Sequence, residues 1–290
     1  MMLAQTTPAA DGMPWGPVVA VALIVAALVV IRVSRRWSER AQKTVLPLMV
    51  ATIMVAIWQL GCDLLHATVF PTPWQTLLAL IEVIESDRLI SDSVASLYRV
   101  TWGFFLATIT AIPLGLVVGW STRSFWAMNP IIQGLRPISP IAWIPVAILW
   151  FGIGDGAGIF LIFLSSFFPI CVGTMAGVRN ISLVHQRSAA NFGIHGMQLI
   201  RRVVLPGAMP QIITSLRIAL GVAWLVIVAA EMVGMDSGLG YLINDARNMG
   251  SRYDLVAAVM LVIGLIGIVL DLMIRRLERF DEVRWGYAER

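Results

Sequence analysis

Charge is scarce in this chain. Only 13% of its residues are Asp, Glu, Lys or Arg, against 58% apolar, and several runs of spanning length carry almost none. A soluble domain of 290 residues would need far more charge to stay in solution. The composition therefore points to an all-α polytopic membrane protein. Cysteine is nearly absent too. Cys62 and Cys171 both sit in apolar runs, which excludes a disulfide framework and any metal-ligand spacing. The three histidines, His66, His185 and His195, form no H-E-x-x-H arrangement, and no G-x-S-x-G elbow occurs. No G-x-x-x-x-G-K-[ST] phosphate loop is present, so ATP hydrolysis coupled to this chain must be done by another. The net charge of +4 does not suggest nucleic acid, because the basic residues cluster at the ends of apolar runs.

What is present is a series of apolar runs, at about 16–31, 47–66, 98–120, 128–150, 157–177, 209–234 and 255–274. Each is close to the roughly 20 residues a spanning helix needs, the first being somewhat short. A basic cluster (Arg32, Arg35, Arg36, Arg40, Lys43) follows the first run and none precedes it, the opposite of a cleaved signal, so that helix is expected to be retained. Basic clusters at 32–43, 179–202 and 275–284 should face the cytoplasm. Seven spans satisfy all three, with the N-terminus outside and the C-terminus inside. The 67–97 segment and a 235–254 loop then face outward. Within the former, Pro71 to Trp74 suit the interface, and residues 75–85 repeat apolar positions at helical spacing, as a short surface helix would.

The most patterned polar stretch is 185–206, HQRSAANFGIHGMQLIRRVVLP, between two apolar runs. Ser188, Ala189 and Ala190 precede Gly193, a helix-compatible stretch with Arg201 and Arg202 follows, and Leu205-Pro206 opens the next run. Small residues permit close approach, Gly193 and Gly196 permit a turn between two short helices, and Pro206 is expected to end the loop helix. Phe192, Met197 and Leu199 are candidate apolar contacts. The spacing from Ala189-Ala190 through Gly193 to Leu205-Pro206 resembles the cytoplasmic coupling motif of ABC importer permeases. Ser188 stands where that motif usually carries Glu, so no carboxylate is offered there.

Three further segments carry the same likeness: LRPISPIAWIPVAILWFGIG at 135–154, LRIALGVAWLVIVAAEMVG at 216–234, and GLGYLI at 238–243. From about 91 to 275 the chain resembles the type I ABC importer transmembrane domain, most nearly the nitrate/sulfonate/taurine/bicarbonate permease group. The resemblance implies about 6–7 transmembrane helices in the cytoplasmic (inner) membrane. It implies a 1–90 extension, a 91–275 transmembrane domain with a coupling loop at 183–206, and a 276–290 cytoplasmic tail. It implies no catalytic residue and no cofactor on this chain, with ATP used by separate ATPase subunits. It also implies an external substrate-binding protein, a second permease copy in a homodimer, and a small anion or zwitterion as substrate. The ATPase-coupling residues carried over are Ser188, Ala189, Ala190, Phe192, Gly193, Leu205 and Pro206.

Arg136, Ser139, Trp143 and Glu231 are the candidates for a substrate pathway. Arg136 lies between Leu135 and Pro137 within a run that otherwise reads as a span; mid-bilayer, an arginine costs about 2.5–3.5 kcal/mol on insertion scales. Pro137 and Pro140 argue for a broken helix, whose second half would present its positive end beside the guanidinium. The alternative is an arginine near the cytoplasmic face, capping carbonyls or snorkelling. Glu231 could line the path, pair with an arginine, contact a delivering protein, or be a plain interfacial carboxylate. Arg217 reads as an anchor at a helix end. Gly103, Ala107, Ala111, Gly115 and Gly119 form a small-residue stripe for close helix packing, within the chain or across a dimer. The rival readings are an ion-coupled secondary transporter, for which Glu231 and Asp271 would supply the carboxylates, and a membrane enzyme.

Overall fold

The computed structural model describes residues 16–34, 38–64, 70–250 and 252–277, and every element among them is helical. Arg35, Arg36, His66 and the tail beyond 277 lie outside the described residues, as does the side chain of Arg40. The chain forms two compact units: residues up to Ser86 with Ala246–Val259, and Asp87–Asp245 with the chain from Met260.

In the first unit, α1 (Gly16–Ser34) packs on α2 (Glu39–Leu64), and α3 (Pro73–Glu85) follows. The start of α3 is written in its sequence. Thr72 accepts from Gln75 N at 3.3 Å, Gln75 returns the contact to Thr72 N at 2.9 Å, and Pro73 supplies a preset φ. Trp58 of α2 donates to the carbonyl of Pro71, 3.1 Å, ahead of that cap. Arg252 pairs with Glu82 of α3 and with Asp254, both at 2.8 Å. These hydrogen bonds raise its pKa above the ordinary arginine value.

The second unit is built on α4 (Asp87–Trp120), α7 (Asp155–Arg179) and α10 (Leu205–Gly234). The small-residue stripe lies between α4 and α7, within the chain. A Cβ on Gly115 would stand 2.7 Å from Thr174 Cβ, and one on Gly103 2.6 Å from Ile162 Cβ. Ala107 and Ala111 are fully buried between them. Gly173 and Gly177 of α7 do the same for α10, against Ser215 and Gln211. Backbones can approach this closely only where side chains are absent.

Between α4 and α7 runs a broken helix. α5 (Thr122–Leu135) ends at Arg136, a 3₁₀ turn spans Pro140–Trp143, and α6 (Ile144–Phe151) leaves at 81° to α5. Ser139, pushed to an extended conformation (ψ 127°) by the proline after it, marks the break. The 128–150 run is thus a bent pair, as Pro137 and Pro140 predict. After α7 come α8 (Leu183–Asn191) and α9 (Gly196–Leu199), and after α10 come α11 (Leu239–Asn248) and α12 (Tyr253–Leu277). Trp224 of α10 donates to the Ile263 carbonyl of α12, 3.1 Å.

Five helices among the described residues are long and apolar enough to cross a membrane, or six with the bent pair counted as one span. Three expectations change. The 98–120 span begins at Asp87, because its first turns are a buried polar face rather than a loop. The 235–254 segment is not all loop: its apolar positions recur at helical spacing and form α11. Pro206 does not end the loop helix. Residues 196–234 run on as one helix, and Ile200–Val204 take π-type bonds, with Leu205 N donating to Ile200 O. The wider turn accommodates a proline that has no N–H to give to the turn before it.

Candidate functional site

Three places bring the candidate residues together, and they are separate. The first is the 183–206 loop. Ser182 caps α8, its hydroxyl accepting from Val184 N at 3.2 Å. α8 ends where Gly193 adopts φ +74°: Gly193 N donates to Ala190 O and Ile194 N to Ala189 O, both 3.0 Å. This is a Schellman-type stop, which needs a residue tolerant of positive φ. Gly196, φ +58°, opens α9. The exposed surface of this helix-turn-helix carries Ser188, Ala190, Phe192 (83% exposed), Gly193 and Met197, with Leu183 and Val184 also exposed. Ala189 is not part of it. At 6% exposed it turns inward, since adjacent helical residues point about 100° apart. Leu199, Leu205 and Pro206 are half-buried, holding the loop to the start of α10.

The second place is built around Glu231, and most of it is not legible in the sequence. Asp92, Ser96 and Arg99 follow one another at i, i+4 and i+7 on α4, so they share one face. Arg99 Nη1 donates to Glu231 Oε1, 2.8 Å, with Arg99 1% and Glu231 0% exposed. Arg99 Nε donates to Asp155 at the start of α7, 2.7 Å, and its remaining donors reach Ser237 O at 2.8 Å and Ser237 Oγ at 2.6 Å. Glu231 also accepts from Ser96 Oγ at 2.8 Å and from Gly240 N at 3.0 Å. Asp92 accepts from Gly238 N, 2.8 Å, and Ser96 Oγ accepts from Leu239 N, 3.0 Å.

The opening amides of α11 therefore land on side chains of α4 and α10, and one guanidinium ties in α7. Two glycines make this possible. A Cβ on Gly238 (φ +110°) would run into the Glu231 carboxylate, and one on Gly240 into the Val228 carbonyl. Every charge here is answered by protein, as burial demands. Glu231 is thus closed inside a clamp, without exposed surface.

The third place is the helix break. A cavity of about 270 Å³ lies there, lined by Leu135, Arg136, Ile138, Pro140, Trp143, Leu164, Ser165, Phe168, Pro169 and Val222. Arg136 and Trp143 share this wall; Ser139, exposed, does not line it. Arg217 is elsewhere, paired with Asp271 at 2.6 Å, and Asp271 also takes Arg275 at 2.8 Å. No group of three or more potential metal ligands exists among the described residues.

Arg99, Asp92, Ser96 and Asp155 are the functional candidates that sequence reading misses. The available signal is a polar i, i+4, i+7 stripe leading into an apolar run, together with paired glycines three and five residues beyond Met235.

Residues 111–280 match the family model described as "Binding-protein-dependent transport system inner membrane component". The chain is 36% identical over 234 residues to a Bacillus subtilis protein named as a putative aliphatic sulfonates transport permease, covering 80% of this chain and 84% of that one. It is 34% identical over 254 residues to the Escherichia coli taurine transport system permease, covering 86% and 92%. It is 35% identical over 238 residues to the nitrate import permease of Leptolyngbya laminosa, covering 77% and 82%. Among solved structures, a chain of the MetNI methionine ABC transporter in inward-facing conformations aligns with TM-score 0.59 at 18% identity. That alignment covers 66% of this chain and 94% of the other.

Proposed function

Because this chain belongs to the family of binding-protein-dependent transport system inner membrane components, and is the multi-pass permease of an ABC importer, we propose that the 183–206 loop is its ATPase-docking surface. The observation that carries this is the exposed apolar set Phe192, Met197, Leu183 and Val184 on a glycine-stopped helix-turn-helix continuous with α10. An apolar surface on short helices outside the spans is suited to insertion in a partner's groove. The 196–234 helix, continuous through the π-type turn at Ile200–Val204, links the docked surface to the membrane-spanning part of α10.

In this reading ATP is bound and hydrolysed on two separate ATPase chains, and this chain holds no cofactor. An external binding protein delivers substrate, and two copies of the permease form the path. The substrate is a small anion or zwitterion, the kind named in the sulfonate, taurine and nitrate relatives. No bond in the substrate is made or broken.

The experiment is purification from membranes of the wild-type chain and of Ala190→Trp and Phe192→Asp, both at exposed positions that leave the α8 stop intact. An ATPase subunit is expected with the wild type and lost or much reduced with either variant. A chain that purifies without an ATPase, or variants that retain it in full, would overturn the assignment.

A further inference from the structure

Arg187 stands on the outward face of α8. Helix geometry puts it there: Ala189 turns inward at 6% exposed, and Arg187, two residues earlier, is about 160° around the helix from it. Leu183 and Ala190, four residues before it and three after, are its neighbours on that face, and both are exposed. Ser188 beside it offers only a neutral hydroxyl. Arg187 is exposed and makes no hydrogen bond or ion pair among the described residues, unlike Arg99 and Arg217.

The neighbouring sequence holds no counter-charge. Between Asp155 and Glu231 there is no Asp or Glu. Every formally charged residue of the 183–206 loop is therefore a cation: Arg187, Arg201 and Arg202. Two of these have an ordinary explanation. Arg201 and Arg202 stand at the head of the helix that becomes α10, as Arg179 closes α7 and lies over the Phe125 ring at 3.9 Å. Cations that flank spans on the cytoplasmic side meet lipid headgroups. Arg187 has no such place. It lies inside α8, between two residues of the surface that a docked ATPase covers.

Covering Leu183 and Ala190 takes water away from the guanidinium between them. A cation dehydrated at an interface is costly when unpaired and tolerated when a hydrogen-bonded carboxylate meets it. We propose that Arg187 is the electrostatic anchor of the docked loop, and that the ATPase groove receiving α8 carries an Asp or Glu opposite it. The carboxylate takes the planar fork of the guanidinium, and an apolar floor takes Leu183, Val184 and Phe192. This rests on the docking reading above and names the chemistry of the partner. The permease supplies the cation of the pair and the ATPase the anion. An ATPase whose groove presents a cation at this point is rejected by like charge.

The test uses the ATP-hydrolysing subunit recovered with the wild-type permease, identified by mass spectrometry and purified. It is added back to the full-length wild type, Arg187→Glu, Arg187→Lys and Phe192→Asp in lipid nanodiscs, and its affinity is measured. A carbodiimide, which joins an amine directly to a carboxylate, is then applied. Lys43 is the only lysine of the natural chain, so peptide mapping tells an amide at position 187 of Arg187→Lys from one at Lys43. Arg187→Glu is expected to weaken binding about tenfold or more, and Arg187→Lys by less. The amide from position 187 is expected on an Asp or Glu of the ATPase. Wild-type affinity in Arg187→Glu, with binding lost in Phe192→Asp, overturns the pair and keeps the docking reading. Full binding in both variants, or a wild type from which no ATPase is recovered, overturns the docking reading and the pair with it. An amide from position 187 to a carboxylate of the permease itself, or none to an ATPase that is bound, overturns the pair. So does a loss in Arg187→Glu seen with phosphatidylglycerol in the nanodisc and not with phosphatidylcholine alone, which assigns Arg187 to headgroups. Should Arg187→Glu fail to fold, Arg187→Lys, which keeps the charge, carries the test through the amide.

Discussion

Arg99 is the sole cation paired with Glu231 among the described residues, whereas Arg99 is paired with Asp155 as well. Removing Arg99 leaves Glu231 buried without a counter-charge, which typically costs about 3–5 kcal/mol, and removing Glu231 leaves Arg99 one carboxylate short. Glu231→Ala and Arg99→Leu are each expected to lower the detergent-solubilised unfolding midpoint sharply, and the double variant to recover part of the loss. Equal losses from the single and double variants would show that the pair is not coupled. The sequence exposes one half of this arrangement. Glu231 stands out as a carboxylate in an apolar run, whereas Arg99 looks like an ordinary charge at a run's edge. Its role depends on three partners 56, 132 and 138 positions away along the chain. No local pattern encodes such distances.

Helix packing repeats the contrast. α4 carries small residues every fourth position, so the stripe is plain from composition alone. Whether it faces another helix of the same chain or a second copy is not decided by spacing, and the structure assigns it to α7. Gly115→Ala, whose new Cβ would meet Thr174 Cβ at 2.7 Å, is expected to destabilise by about 1–3 kcal/mol. Gly61→Ala in α2, where a Cβ meets nothing within 4 Å, should be neutral or stabilising by about 0.5–1 kcal/mol. Thermal unfolding of the two variants side by side checks this, and equal effects would contradict the assigned contact. Pro206 shows the opposite failure of local reading. A proline is expected to interrupt a helix, yet a π-type turn absorbs it, because the neighbouring turns can share the missing bond.

For the whole molecule, the energy source is the decisive property. An ATP-driven importer and an ion-coupled carrier differ in what stops them. Uptake in whole cells is expected to fall when ATP is depleted and to survive an ionophore that collapses ion gradients. The reverse pattern would restore the ion-coupled alternative, in which Glu231 and Asp271 are the carboxylates. The structure already ties both up, Glu231 with Arg99 and Asp271 with Arg217 and Arg275. Local spacing encodes the apolar runs of spanning length, the proline-broken helix at 136–140, and the glycine-broken loop at 183–206 with its family likeness. Hydrophobic period and backbone-restricting residues act within a few turns, so they can be read in order along the chain. The tertiary structure alone decided the Glu231 clamp, the inward turn of Ala189, and the sharing of one cavity by Arg136 and Trp143 with α7 and α10. Those depend on which distant helix faces which, and a buried charge is satisfied by whatever chain packing brings within hydrogen-bond reach, wherever it lies in the sequence.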